Sequence, residues 1–261
     1  MKAKFFYRIL LGLGLVYLFL PVFVVVAFSF NDFKGRRNVS WEGFTLRHWA
    51  DPLGVTGIGE ALRNSLTIAL LSALISTILG TLIALALVRY RFKGRSTTNL
   101  LLFLPMATPE VVMGSSLLAL FIALSVGRGY WTILVAHILF NVSYAVVTVR
   151  ARIVGFDRHL EEAAMDLYAN EWETFRRVTL PMIMPGVVAA FMLAFALSFD
   201  DFVITNFVSG STLTFPVFVW GAAKRGVPPQ VNVLGTIIFS VAVIATVVNL
   251  LVSRRRQGVA T

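Results

Sequence analysis

The chain has 261 residues, of which 57% are hydrophobic and 14% charged, with a net charge of +10. A soluble domain of this size is about half apolar and about one-quarter charged, so a water-soluble fold is excluded. There is no cysteine, which removes disulfides, thiol chemistry and cysteine-ligated metals from consideration.

The apolar residues fall in long runs, and about 20 in a row suffice to cross the hydrocarbon of a bilayer. Spans are predicted near residues 9–28, 62–88, 99–125, 131–149, 182–204 and 231–252. Lipid-exposed backbone must satisfy its own hydrogen bonds, and the runs lack the strict alternation of barrel strands. The expected fold class is therefore all-α and membrane-embedded, a single transmembrane domain over residues 1–261 with about six helices. Lys2, Lys4 and Arg8 precede the first run as they would in a secretory signal. That run is longer than a signal core of roughly 7–15 residues, and Ala27-Phe28-Ser29 is a poor cleavage site.

With the N-terminus in the cytoplasm, the inner set of basic residues is Lys2, Lys4, Arg8, Arg89, Arg91, Lys93, Arg95, Arg150, Arg152, Arg158, Arg176, Arg177 and Arg254 to Arg256. The outer set is Lys34, Arg36, Arg37, Arg47, Arg63, Arg128, Lys224 and Arg225. The bias of 15 to 8 follows the positive-inside rule and places both termini inside. The charge thus reads as a topology signal rather than as a nucleic-acid surface. His48, His137 and His159 are scattered without ligand spacing, which suits structural or surface roles better than metal binding.

Three segments depart from plain spans. The outer loop, residues 31–60, carries Trp41, Trp49 and mixed charges. It is either an interfacial segment anchored by aromatics or a docking surface for a partner outside. In the inner stretch, residues 150–181, Leu160, Ala163, Ala164, Leu167 and Tyr168 recur on one face of a short amphipathic helix, with Asp157 as its N-cap. Asn170 and Glu173 form a capping-box pair for a second helix bearing Trp172 and Phe175, and Leu180-Pro181 ends the segment. A lipid-surface helix is the alternative, but the pair is as rich in acids as in arginines, so a protein groove is the better partner.

Third are carboxylates inside apolar runs: Glu110, which follows Pro105 and Pro109, and the adjacent Asp200 and Asp201. A charge at the bilayer centre costs roughly 2.5–3.5 kcal/mol on insertion scales and by default marks a pathway. Counting along a continuous helix puts Glu110 near the midplane. The three acids, with Tyr144, Phe199 and Trp220 for cation–π contacts, are candidate lining residues for a cationic substrate. Local capping or pairing of Asp200 and Asp201 with Arg63 or Lys224 is the structural alternative. Ser72, Ser76, Gly80 and Ala84, and Gly186, Ala190, Ala194 and Ser198, form small-residue ridges suited to close helix packing. Asp201, three residues beyond Ser198, is expected to face the packed interior, with Asp200 about 100° away.

Glu162-Ala163-Ala164, followed at the family's distance by Leu180-Pro181, resembles the EAA loop of importer-type ABC permeases of the MetI-like fold. Ser29-Phe30-Asn31, Trp41 to Thr45, Trp49, Asn64-Ser65-Leu66, Leu197 to Asp201 and Phe207 to Gly210 resemble the PotC/PotI branch of spermidine and putrescine permeases. The resemblance implies cytoplasmic coupling helices that dock on an ATPase, with Glu161, Glu162, Ala163, Ala164, Asp166, Leu167, Tyr168, Leu180 and Pro181 in the coupling segment. It further implies an ABC ATPase dimer inside, a second homologous permease, an extracytoplasmic binding protein and a bacterial inner-membrane location. No cofactor is expected on this chain; with no phosphate-binding G-x-x-x-x-G-K-[ST] loop, ATP and Mg belong to the partner.

One departure stands out. Tyr168 replaces the family's glycine, and a tyrosine in a left-handed turn costs of order 1–2 kcal/mol. The turn is therefore expected at Ala169-Asn170 or in another shape. A proton- or cation-coupled secondary transporter is the runner-up, but no internal repeat is visible. A membrane enzyme lacks a nucleophile–base pair or metal cluster in the spans.

Overall fold

The computed structural model describes residues 2–33, 38, 40–155, 157 and 159–257. In chain order the helices are α1 (Lys2–Phe28), α2 (Arg47–Ala50), α3 (Ile58–Arg89), α4 (Arg95–Ala107), α5 (Glu110–Ala123), α6 (Tyr130–Val154) and α7 (His159–Asp166). They continue as α8 (Glu171–Thr174), α9 (Leu180–Phe199), α10 (Val203–Val208), α11 (Phe215–Arg225) and α12 (Pro229–Gln257). Among the described residues the sole β pairing is an isolated bridge between Asn31 and Phe44. The chain divides into two compact units, one of Met1–Gly59 with Val219–Thr261 and one of Glu60–Phe218.

Four helices are long and apolar enough to cross a membrane: Tyr7–Phe28, Ile58–Arg89, Tyr130–Val154 and Glu171–Phe199. The bent pair α4–α5 is apolar enough for a fifth, as a broken span or a re-entrant loop, and α12 contributes a shorter apolar stretch, Pro229–Ile244. The third predicted span is therefore not one rod: the chain bends by 108° between its two arms. The cause is local. Pro109 has no N–H to donate, and it forces Thr108 into extended backbone (φ −81°, ψ 130°).

The fifth predicted span differs at both ends. At its start, α8 runs through a π turn, Phe175–Thr179, directly into α9, so Leu180-Pro181 does not end the inner segment. The widened turn lies where the Pro181 ring would otherwise press on the preceding turn. At its far end α9 stops at Phe199, and a three-residue break precedes α10.

In the larger unit α6 is the central helix. It packs along α9 and also touches α4, α5 and α10. The small-residue ridges are buried as predicted: Ser72, Ser76, Gly80 and Ala84 on α3, and Gly186, Ala190, Ala194 and Ser198 on α9. A Cβ on Gly80 would lie 2.6 Å from the Ala145 Cβ, and one on Gly186 would lie 2.6 Å from the Arg152 Cβ. Helix backbones this close are what small-residue spacing permits.

In the smaller unit α1 packs on α12. The fully buried Asn31 organises the outer loop: its Nδ2 donates to Asn38 Oδ1 (2.6 Å) and Ser40 O (2.7 Å), and its Oδ1 accepts from Glu42 N (2.7 Å). Phe30 stacks between Phe44 and Trp49, at 5.5 and 5.1 Å. The loop's aromatics thus build its own core.

Candidate functional site

The inner helix pair forms as the sequence spacing predicts, with one reversal. Asp157 Oδ1 accepts from the His159 backbone N–H at 3.0 Å and so caps α7. Asn170 Oδ1 accepts from Glu173 N (2.9 Å) while Glu173 Oε2 accepts from Asn170 N (3.4 Å), a reciprocal capping box. The reversal is the turn between them. Tyr168 itself takes the left-handed conformation, φ 65°. Its N–H donates to Met165 O and that of Ala169 to Ala164 O, the bond pair of a Schellman turn. The turn therefore falls at Tyr168, not at Ala169-Asn170. A 98% exposed side chain can occupy that backbone because nothing crowds it.

Most of the pair's apolar surface is uncovered. Leu167 is 81% exposed, Trp172 stacks on Phe175 at 5.7 Å with its outer face open, and Glu162, Ala163 and Asp166 are also exposed. Ala164 and Leu180 are half-buried and Pro181 exposed. Glu161 is different: it is buried, hydrogen-bonded to Arg89 and Thr179. Arg89 and Thr179 carried no motif and were not singled out by the sequence. The available signal was the Arg89 position at the last turn of a span, opposite an acid-rich inner helix. Arg150 Nη1 donates to Asn99 Oδ1 (3.0 Å) and Arg152 Nε to Met182 O (3.2 Å). Arg89, Arg150 and Arg152 thus each tie helices together.

The paired aspartates part company. Asp200 ends α9 with its side chain exposed. Asp201 is turned inward, 7% exposed. Its Oδ2 accepts from Thr205 N (2.8 Å) and Thr205 Oγ1 (2.7 Å), and its Oδ1 from Ile204 N (3.3 Å), so it caps α10. His137 from α6 completes the cluster. Its Nε2 lies 3.2 Å from Asp201 Oδ2 and 3.0 Å from Thr205 Oγ1, and its Nδ1 lies 2.6 Å from Ser198 Oγ. Ligand spacing gives His137 no role; a polar residue in mid-span was the available signal.

Phe199 joins a ladder of stacked rings, Phe191, Phe195, Phe199 and Phe215, at 6.0–6.5 Å steps. Tyr144 packs on Phe140 at 4.9 Å. Glu110 is exposed in the first turn of α5, where an acid also complements the helix dipole; the bend before it removes the continuous helix on which its predicted depth rested. Trp220 belongs to the smaller unit, with the Lys224 ammonium 5.0 Å above its ring. Among the described residues no group of His, Cys, Asp and Glu could hold a metal.

Residues 76–257 match the family of binding-protein-dependent transport system inner membrane components. The chain belongs to that family. It is 38% identical to the spermidine/putrescine transport system permease protein PotC of Escherichia coli K12, over 91% of this chain and 90% of the relative. It is 40% identical to the putrescine transport system permease protein PotI of the same organism, over 88% and 84%. Among solved structures, a bacterial ABC transporter involved in alginate import superposes with a TM-score of 0.70 over 98% of this chain and 96% of that one. At 17% identity that likeness speaks for the fold alone. The fold is thus that of MetI-like permeases, and the chain is a multi-pass membrane transport subunit.

Proposed function

We propose that this chain is the membrane-spanning subunit of an ATP-driven importer that carries spermidine or putrescine into the cytoplasm. The observation that carries the reading is identity of 38–40% to two polyamine permeases over about nine-tenths of the chain. ATP and Mg are held by a cytoplasmic ATPase dimer, onto which the exposed apolar knobs of α7 and α8 dock as a helix in a groove. A second homologous permease completes the pathway, and a binding protein delivers the polyamine from outside. The bias of the basic residues supports a topology with both termini in the cytoplasm.

In the transport cycle, closure of the ATPase dimer displaces α7–α8 and opens the permease outward. Asp200 then receives an ammonium of the substrate. It suits this role because its carboxylate is exposed, whereas Asp201 is engaged by α10 and His137. Glu110 and the rings of Tyr144 and Phe199, all in the same unit as Asp200, supply further negative and cation–π surface along the path.

The test is uptake of labelled spermidine into liposomes holding the assembled transporter, binding protein outside and ATP within. Asp200→Asn should raise the spermidine KM about tenfold, the loss of roughly one charge-assisted hydrogen bond. Glu162→Ala should weaken retention of the ATPase on the permease. An unchanged KM together with full ATPase retention would refute both assignments.

A further inference from the structure

Glu161 is the buried residue of α7, at 8% exposure, on a helix whose other side chains are exposed or half-covered. A buried carboxylate persists only where partners satisfy it, and its partners come from two other elements. The Arg89 guanidinium, at the last residue of α3, donates to Glu161 Oε1 and to Thr179 Oγ1 (3.1 Å). The Thr179 hydroxyl, at the end of the π turn entering α9, donates to the same Glu161 oxygen. The three groups close a ring joining α7, α3 and α9.

We infer that this ring is the mechanical tie through which movement of the inner helix pair reaches the membrane spans, with Glu161 and Arg89 as positioning residues for energy coupling. The inference rests on the proposed docking of α7–α8 to an ATPase. Two breaks in the helical backbone flank α7, one beginning at Gly155 after α6 and one at the left-handed turn of Tyr168 before α8. A push on α7 that is to move α3 and α9 needs a stiffer route. A charge-assisted ring provides it, because separating an arginine from a buried carboxylate leaves an uncompensated charge. Arg89 is anchored to its own helix as well, since a cation at a helix C-terminus complements the dipole. The route splits the push between the ends of two spans that both pack in the larger unit.

The readout is spermidine taken up per ATP hydrolysed, in the reconstituted complete transporter. Glu161→Gln and Arg89→Gln should each lower that ratio about tenfold, the order expected for loss of one charge-assisted hydrogen bond. Arg89→Lys keeps the charge but loses the fork that grips two oxygens, so its ratio should fall less. The charge-swapped pair Arg89→Glu with Glu161→Arg should recover part of the loss. A tie with a merely structural role predicts something else: uptake and hydrolysis fall together with the amount of folded protein, and their ratio holds. An unchanged ratio in Arg89→Lys and in whichever glutamine variants assemble would overturn the inference. Glu162→Ala, measured alongside, isolates the docking reading: full ATPase retention there refutes docking, whatever the Glu161 variants do.

Discussion

At Tyr168 the backbone adopts φ 65°, a conformation that costs a side-chain-bearing residue about 1–2 kcal/mol. Replacing Tyr168 with glycine should therefore stabilise the inner turn by about 1 kcal/mol, and replacing it with β-branched valine should destabilise it by at least as much. Thermal unfolding of the purified permease in detergent reads both. The sequence showed that a glycine was missing but not that the tyrosine would bear the strain. The turn's register is set by two hydrogen bonds, to Ala164 and Met165, that no local pattern advertises. The paired aspartates make the same point. Helical spacing indicated which carboxylate turned inward, whereas the partner on α6, His137, is remote in sequence. Asp201→Ala strips acceptors from the amides of Ile204 and Thr205 and from buried His137, and should cost about 1–3 kcal/mol of stability. Asp200→Ala, at an exposed site, should leave the melting temperature in place while impairing uptake.

At the scale of helices, period and residue size carried most of the information. Long apolar runs gave the spans, and four-residue spacing of Gly, Ala and Ser gave the ridges on α3 and α9, because close packing leaves no room for larger side chains. Gly80→Ala should cost about 1–3 kcal/mol, since its methyl would overlap the Ala145 Cβ at 2.6 Å. Gly12→Ala, with nothing within 4 Å, is the control expected to melt unchanged. What hydropathy could not show was where an apolar run bends: Pro109 and Asp201 break their spans through backbone hydrogen bonding, which leaves the hydropathy profile untouched.

The start of α7 has a pH dependence of its own. The Asp157 hydrogen bond raises the His159 pKa above 6.5, and the His159 side chain lowers that of Asp157 below 3.8. The histidine's contribution is full below 6.5 and lost as pH rises through its raised value. The aspartate's is full above 3.8 and lost as pH falls through its lowered value. Amide exchange at Leu160 and Glu161, corrected for intrinsic rates, should therefore be slowest between about pH 3.8 and 6.5 and faster on either side. Both side chains are exposed, so solvent screening keeps the effect small.

For the molecule as a whole, the 108° bend between α4 and α5 raises a question of topology that charge can answer. A pair bent so sharply could cross the membrane once or return to the side it left. Lys93 and Arg95 flank the start of α4, Tyr130 and Trp131 open α6, and Arg150 and Arg152 close it. Were the pair re-entrant, α6 would begin inside and end outside. Its terminal arginines and the α7–α8 pair would then face away from cytoplasmic ATP, against the positive-inside rule. One bent crossing keeps the aromatic start of α6 at the outer interface and its arginines within. The chain has no cysteine, so single introduced thiols report position without background. In intact cells a membrane-impermeant maleimide should label Gly127→Cys and spare Lys93→Cys until the membrane is opened. Labelling of neither from outside would mean that α4–α5 turns back to the inner side. The inner helix pair would then lie on the wrong side of the membrane to meet an ATPase.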